Sequence, residues 1–390
     1  MAHLCEKNKC TGCTACVVIC PKQCVTMQQD EEGFAYPAVN NEICVGCGVC
    51  EKSCPVLNVK EQQQEPTAYA AYSKDDALRL ESSSGGVFTE LAKAVLNQGG
   101  VVFGAAYDEK FRVYHICVDN EGDLARIRGA KYAQSNLGDT FRQVRRFVTD
   151  RKVLFVGTPC QVAGVKAYLG TEGENLISVD FVCHSVPSPM AWEKYIEYRA
   201  QTDNDGIMPV AINFRCKDTG WSRYSNQICY GAGKQNLIKS ADSLFMKLFV
   251  GDYINRLSCE NCSFKGYSRV SDLTIGDFWG IWDIAPEMDD NRGTSVVLVQ
   301  SEKGRKIFDE ISDRLAVMPV TLKQASQQNP SMLVSSKAKE NRSQVLDTIR
   351  SGNIAECSEL FKPEKLSMAA RVKNKVAGLA RRAAAHLPKH

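Results

Sequence analysis

The sequence predicts a small α+β module followed by a larger mixed α/β domain with a mostly parallel sheet. Three observations support this prediction. Ten of the eighteen cysteines lie within about the first 56 residues. Strand and helix patterns alternate from Thr67 onwards. Between them, LNVKEQQQEP at 57–66 has no hydrophobic periodicity. A chain of 390 residues also exceeds one ordinary hydrophobic core.

The composition is that of a globular protein, with 44% hydrophobic and 24% charged residues. No apolar run approaches the roughly 18 residues that a membrane span requires. The start, MAHLCEKNKC, lacks the apolar core of a secretory signal. We therefore expect a cytoplasmic protein. In that reducing compartment, spaced cysteines indicate metal ligands or redox chemistry rather than structural disulfides.

The most specific motif is a cysteine run that occurs twice, as CTGCTACVVICP at 10–21 and CVGCGVCEKSCP at 44–55. Both runs have the spacing C-x2-C-x2-C-x3-C-P. Three cysteines at such intervals hold three corners of a 4Fe-4S cluster, and the fourth ligates the other cluster of the pair. We therefore expect two clusters that exchange their fourth ligands. The predicted ligands are Cys10, Cys13, Cys16 and Cys54 for the first cluster, and Cys44, Cys47, Cys50 and Cys20 for the second.

Structural zinc is the alternative for any CxxC pair, but zinc gives no reason for two identical runs that each end in proline. The doubled run resembles the bacterial two-cluster ferredoxin. Residues 1–60 are therefore predicted to form a ferredoxin-like two-cluster module, and residues 61–66 a linker. Cys5 and Cys24 lie outside the repeat and are predicted to pack beside the clusters rather than to bind them.

Alternating strands and helices follow the linker. The predicted strands are AYAAY, VVFGAAY, KVLFVG and NLISVDFV, and the predicted helices are VFTELAKAVL, QVAGVKAYLG and PMAWEKYIEYRA. Helices of this length between strands are typical of a parallel sheet, whose ligands bind at the carboxyl ends of the strands. The pattern weakens past residue 205.

Three stretches place reactive residues near that edge. ESSSGGVFTELAKAVL puts serines and glycines ahead of a helix, which suits a phosphate, although an ordinary serine N-cap explains the stretch alone. VLFVGTPCQVAGVKAYLG and VDFVCHSVPSP each carry a cysteine after a strand, and CENCSFKGYSRVSDLTIGDFWG adds a CxxC pair. Structural zinc stays open for this set, because a lone CxxC is generic. The four cysteines predicted to converge on one further cluster are Cys160, Cys183, Cys259 and Cys262.

Taken in order, SSSGGVFTELAKAV, GAKYAQS, FVGTPCQVAGVKAYL, VDFVCHSVPSP, CENCSFK and SDLTIGDFWGI resemble the beta-subunit family of deazaflavin-dependent (coenzyme F420) hydrogenases and dehydrogenases. The resemblance runs from about residue 67 to about 320. It implies a flavin-binding domain with an N-terminal part at 67–145 and a C-terminal part at 146–330. It also implies FAD beside a third 4Fe-4S cluster held by the four inner cysteines. The residues that would line the flavin are Ser83, Ser84, Gly85, Gly86, Lys131, Tyr132, Ser135, Gly157 and Thr158.

Two further residues are assigned with alternatives. His184, beside a predicted ligand, is the candidate catalytic residue, either tuning the cluster or stacking near the flavin; a turn histidine with satisfied hydrogen bonds is equally supported. Cys216 in NFRCKDTGW stands where the family has an acidic residue. It is predicted not to be a ligand, although an exchange with one of the four inner cysteines stays open.

The tail at 362–390 carries eight Lys or Arg against one Glu. Its apolar residues Val372, Val376, Leu379, Ala383 and Leu387 recur at helical spacing, which permits a weak peripheral contact with an anionic membrane surface. A solvated helix or a partner-docking segment is equally supported. Nucleic-acid binding is not predicted, because the charge is confined to the end and no stacking aromatics accompany it.

The predicted function is that of an iron-sulfur flavoprotein oxidoreductase. A flavin exchanges single electrons as well as hydride, so it links 4Fe-4S clusters to a hydride carrier. The candidate carriers are ferredoxin on the one-electron side and the deazaflavin coenzyme or a nicotinamide on the hydride side. One alternative is an electron-relay subunit that reduces a partner reductase and has no substrate of its own. A second is a zinc-containing binding module without flavin.

Overall fold

The computed structural model describes residues 2–59, 64–170 and 173–361; the predicted basic tail at 362–390 lies outside these ranges. The N-terminal module is α+β. Helices α1 (Ala15–Val18) and α2 (Val49–Lys52) each begin within one cysteine run, and strands β1 (Val25–Gln29) and β2 (Ala35–Val39) form an antiparallel hairpin between them.

The larger domain contains eleven further strands within the described ranges. They are β3 (Thr67–Ser73), β4 (Val101–Tyr107), β5 (Val113–Val118), β6 (Val153–Gly157), β7 (Leu176–Phe181), β8 (Ala211–Cys216), β9 (Ser225–Cys229), β10 (Gln235–Lys239), β11 (Leu273–Asp277), β12 (Ser295–Val299) and β13 (Leu315–Val320). The strands predicted from AYAAY, VVFGAAY, KVLFVG and NLISVDFV are confirmed as β3, β4, β6 and β7.

Eight of these strands form one mixed sheet in the order β13-β3-β12-β11-β7-β6-β4-β5. Strands β4, β6, β7 and β11 are parallel to one another. The other four neighbour pairs are antiparallel, so the prediction of a mostly parallel sheet is wrong. Strand β5 follows β4 after only the turn at 108–112, which is too short for the crossover that a parallel pair needs. A separate three-stranded antiparallel sheet has the order β10-β9-β8.

Helices cover both faces of the large sheet. The helices of the larger domain within the described ranges are α3 (Asp76–Glu81), α4 (Val87–Leu96), α5 (Leu124–Ile127), α6 (Thr140–Phe147), α7 (Pro159–Leu169), α8 (Pro189–Asn204), α9 (Leu244–Val250), α10 (Ile281–Ile284), α11 (Glu302–Ile311), α12 (Leu322–Ser326) and α13 (Arg342–Arg350). The three predicted helices are confirmed as α4, α7 and α8. No helix within the described ranges is long and apolar enough to span a membrane.

Strand β6 shows how the core is built. Leu154 packs with α4 and α11 on one face, whereas its neighbour Phe155 packs with α6 and α7 on the other, because successive side chains of a strand point to opposite faces. The N-terminal module joins the second face. Ala15 and Val18 of α1 are buried in the same apolar cluster as Phe141 of α6.

Candidate cofactor sites

Two cavities in the N-terminal module are each lined by cysteines from both runs. The first cavity is lined by Cys10, Cys13, Cys16 and Cys54. The second cavity is lined by Cys44, Cys47, Cys50 and Cys20. Each cavity therefore takes three cysteines from one run and the fourth from the other, which is the sharing that the spacing predicts.

The two cysteine loops have the same backbone conformation. Gly12 and Thr14 have φ of 69° and 65°, and the equivalent Gly46 and Gly48 have 66° and 70°. These left-handed residues flank the second cysteine of each run and turn the chain around its cavity. The extra cysteines lie close by: Cys5 lines the first cavity, and Cys24 Sγ in the second is 3.4 Å from Cys20 Sγ. Their packing role stays a prediction.

A third, inner cavity lies at the carboxyl ends of β6 and β7, and the four remaining candidate cysteines all line it. Cys160 stands in the first turn of α7, which is fixed by a capping box between Thr158 and Gln161. Cys183 lies two residues after the end of β7. Cys259 and Cys262 come from the segment before β11. Residues distant in sequence thus supply one enclosed set of thiols.

Four cysteines are the donor set that a 4Fe-4S cluster uses, and zinc can bind the same set. Burial raises the pKa of Cys160 to about 11 and that of Cys259 to about 12, so the free thiols would be protonated and poorly nucleophilic.

Two buried hydroxyls add to this fit. Thr14 Oγ1 at the first cavity and Ser185 Oγ at the inner cavity have no hydrogen-bond partner within the described residues. Buried polar groups are normally satisfied, and hydrogen bonds to cluster sulfurs are one such use.

The first and inner cavities are neighbours. Thr11 lines both of them. Helix α7 carries Cys160 at its start and Gly164 one turn later, where an added Cβ would lie 2.9 Å from Cβ of Cys13. Glycine at this position allows α7 to lie directly against the first cysteine run.

We expect Gly164→Val to destabilise the protein by about 1–3 kcal/mol, because the larger side chain would overpack the contact between α7 and Cys13. Anaerobic thermal unfolding would measure the loss. Gly231→Val is the control, since an added Cβ there meets nothing within 4 Å. Equal unfolding midpoints for the two variants would show that the close approach of α7 has no energetic importance.

His184 also lines the inner cavity, but both of its ring nitrogens are engaged by protein groups. Nε2 lies 2.8 Å from Asp252 Oδ1, and Nδ1 lies 3.3 Å from Ser331 Oγ. These contacts fix the ring, and a catalytic role for His184 stays a prediction. Cys216 ends β8 and is not among the residues that line the inner cavity.

The serine-glycine loop at 83–86 lies against the end of β11 and the start of β12. Ser84 Oγ donates to Thr294 O at 3.1 Å, and Gly85 N donates to Ser295 Oγ at 3.0 Å. An added Cβ at Gly85 would lie 2.6 Å from Ala71 O. Gly86 begins α4 with a φ of 89°. Packing and backbone conformation therefore explain both glycines.

Other residues predicted to line the flavin form a connected path from this loop. Ala130 N donates to Ser83 Oγ at 2.8 Å, which joins the loop to the segment that carries Lys131, Tyr132 and Ser135. Ser135 Oγ hydrogen-bonds His115 Nδ1, and His115 Nε2 lies 3.0 Å from Val156 O, next to Gly157.

The path continues to the inner cavity. Thr158 Oγ1 lies 3.1 Å from Cys160 Sγ, so the residues after β6 contact a cysteine of the inner set. In the segment that carries Lys131, Tyr132 and Ser135, burial lowers the pKa of Lys131 to about 7. Lys131 Nζ donates to Arg128 O at 2.9 Å.

Sequence reasoning missed Arg215 and Asp277, which lie beside the loop. Arg215 is buried, and its Nη2 donates to Asp277 Oδ1 at 3.0 Å and to Ser83 O at 3.3 Å. Burial alone would lower the pKa of Arg215, but nearby Asp277 and Tyr132 outweigh it and raise the pKa. The signal for Asp277 was its place at the end of a predicted strand in SDLTIGDFWGI.

His115 was also missed, and it gives a pH prediction. Burial lowers its pKa from 6.5 to about 4. Between these pH values the unfolded chain binds more protons than the folded one, so this contribution to stability is lost as the pH falls from 6.5 to 4. We expect His115→Gln to lower the unfolding midpoint at pH 7, and its midpoint to fall less than that of the wild type between pH 7 and pH 5. If the unfolding midpoints of both proteins fell equally between pH 7 and pH 5, the lowered pKa of His115 would be contradicted.

Two cysteine-lined cavities in a repeated module, and a third at the edge of a mixed α/β sheet, define the class of an iron-sulfur protein with an appended α/β domain. Residues 9–58 match the family model "4Fe-4S dicluster domain". The N-terminal and C-terminal models of the family "Coenzyme F420 hydrogenase/dehydrogenase, beta subunit" match residues 68–141 and 150–323, which together are more than half of the chain. The chain therefore belongs to the coenzyme F420 hydrogenase/dehydrogenase beta-subunit family, and the resemblance seen in its motifs is confirmed.

Individual relatives are distant. One of the subunits of the F(420)H(2) dehydrogenase from Methanosarcina mazei is 22% identical over 334 residues, which cover 82% of this chain and 86% of that protein. A chain of the F420-reducing [NiFe] hydrogenase complex from Methanosarcina barkeri aligns with a TM-score of 0.48 and 15% identity, covering 77% of this chain and 92% of that chain. Similarity at that level supports no further conclusion.

Proposed function

We propose that this iron-sulfur protein is a flavin-dependent oxidoreductase in which a third 4Fe-4S cluster, held by the four inner cysteines, joins the dicluster domain to FAD. One observation carries the proposal: the inner cavity shares Thr11 with the first cavity, and its Cys160 Sγ lies 3.1 Å from Thr158 Oγ1. Cofactors bound at the two cavities and beside Thr158 would be neighbours.

FAD, when bound, supplies the exchange between single electrons and hydride. Several side chains of this chain are suited to hold such a group. Ser83 and Ser84 carry hydroxyls, and Arg215 and Lys131 carry nitrogen donors near the same loop. Gly85 and Gly86 fix the loop that presents these serines.

The deazaflavin coenzyme is the hydride carrier that we propose. The family name contains it, and the F(420)H(2) dehydrogenase protein of Methanosarcina mazei is a relative over most of this chain. The family name also describes beta subunits, which supports assembly with other subunits of an oxidoreductase. Cys47 is exposed at the second cavity, so electrons have a surface at which to enter or leave.

The test is anaerobic purification followed by analysis of iron, zinc, sulfide and flavin, and then by reduction assays. We expect FAD, about twelve iron atoms per chain, and reduction of the deazaflavin coenzyme by a reduced low-potential donor. NAD and NADP serve as comparison acceptors. Protein without flavin would contradict the proposal. A flavin-free protein that reduces a stoichiometric partner would favour the electron relay, and zinc at the inner cysteines would favour the binding module.

A further inference from the structure

Arg256 is buried at the inner cavity, with 1% of its surface exposed. Its Nε donates to Cys10 O at 2.8 Å, and its Nη2 donates to Ala35 O at 3.0 Å. Its Nη1 donates to Gln134 Oε1 at 2.8 Å, and Gln134 in turn donates to Thr11 O at 3.0 Å. The same side chain lines the inner cavity. Its guanidinium therefore holds the loop of the first cysteine run while facing the inner cysteines.

This guanidinium has no carboxylate partner among the described residues. The other buried arginines all do, at 3.3 Å or less: Arg79 with Asp290, Arg215 with Asp277, Arg269 with Asp180, and Arg342 with Glu32. A buried cation without a counter-charge is strongly unfavourable. Because a cluster ligated by four thiolates is an anion, the clusters on either side are suited to supply the missing negative charge.

We propose that Arg256 is a shared counter-charge that raises the reduction potentials of both the first and the inner cluster. A positive charge favours the more negative, reduced state of a nearby cluster, and net charge is one of the factors that set cluster potentials. The inner half of this inference rests on the proposed third cluster. The half concerning the first cluster rests on the dicluster domain alone.

Lys265 provides the comparison. It also lines the inner cavity, where its Nζ donates to Ser331 O at 2.7 Å and contacts Cys183 O. None of its acceptors, the carbonyls of Cys183, His184 and Ser331, belongs to the first cysteine run, whereas Arg256 donates to Cys10 O. Arg256 is thus shared between two sites, whereas Lys265 belongs to one of them. Arg199, which pairs with Asp203 on α8, is a structural control away from both cavities.

The test is anaerobic redox titration of the full chain, followed by EPR, with iron content measured for each variant. We expect Arg256→Met to lower the equilibrium constant for one-electron reduction of both the first and the inner cluster by about tenfold, which is about 59 mV each. Arg256→Lys, which keeps the charge, should recover most of both shifts. Lys265→Met should shift the inner cluster only, and Arg199→Met should shift neither.

Unchanged potentials in Arg256→Met with wild-type iron content would overturn the inference. A shift of equal size in Arg256→Lys would overturn it too, because the effect would then come from lost hydrogen bonds and not from charge. If Arg256→Met does not fold, Arg256→Gln replaces it, because glutamine removes the charge but keeps a hydrogen-bond donor. We expect it to lower both potentials in the same way. About eight iron atoms in the wild-type protein would contradict the proposed third cluster and not the role of Arg256. The potential of the first cluster should still be lower in Arg256→Met than in the wild type.

Discussion

Replacing Cys183 with serine is expected to remove about four of roughly twelve iron atoms per chain and to stop electron delivery beyond the dicluster domain. Cys183 lines the inner cavity with Cys160, Cys259 and Cys262, so its loss opens one corner of the proposed cluster. We expect flavin reduction to slow more than about 100-fold, which exceeds the 10–100-fold loss typical of a residue that only supports a metal ligand. Iron analysis and stopped-flow absorbance at the flavin band would measure both effects.

Cys216→Ser is the matched control for this prediction. Cys216 is also a half-buried cysteine of the larger domain, but it lies at the end of β8 and does not line the inner cavity. The variant should keep full iron content and normal flavin reduction. The reverse outcome, with iron lost from Cys216→Ser and kept in Cys183→Ser, would require the exchange of ligands that the sequence left open.

Asp277→Ala is expected to destabilise the protein by about 3–5 kcal/mol, because it leaves the buried guanidinium of Arg215 without its counter-charge. Trp221 Nε1, which donates to Asp277 Oδ1 at 2.8 Å, would lose its acceptor as well. Since Arg215 also donates to Ser83 O, we expect the variant to lose flavin along with stability. Denaturant unfolding and flavin content after purification would measure the two effects.

Asp76→Ala supplies the control for Asp277→Ala. Asp76 pairs with Arg292 at 2.7 Å, but both side chains are about half exposed or more, so the pair should contribute little to stability. A stability loss in Asp277→Ala as small as that in Asp76→Ala would mean that the Arg215 pair is not a structural support of the loop.

The sequence predicts features that depend on local spacing. The doubled C-x2-C-x2-C-x3-C-P run predicts eight ligands and their exchange between two sites, and the same two sets of cysteines line two cavities of the structure. Apolar runs likewise locate β3, β4, β6 and β7. The direction of the sheet's outer strands was not predictable in this way, because it depends on short connections and on pairing between distant segments, such as β3 with β12 and β13.

Contacts between segments distant in sequence could not be predicted from motif spacing either. Arg256 meets the carbonyl of Cys10 across 246 positions, and Arg215 meets Ser83 across 132. Arg256 belongs to none of the quoted motifs, and in NFRCKDTGW only Cys216, not its neighbour Arg215, was considered. The glycines at 85 and 86 were predicted to contact a ligand, whereas their packing against Ala71 O and Leu78 already explains them. The positions of these arginines and the packing of these glycines therefore depend on the tertiary structure, which local sequence patterns do not predict.

Iron, sulfide and zinc analysis of the anaerobically purified chain, combined with EPR of the fully reduced protein, tests the central claim most directly. If the inner cysteines hold a third cluster next to the first, the chain will contain about twelve iron atoms and little zinc, and its spectrum will show magnetic interaction among neighbouring reduced clusters. About eight iron atoms with zinc bound at the inner cysteines would contradict the account.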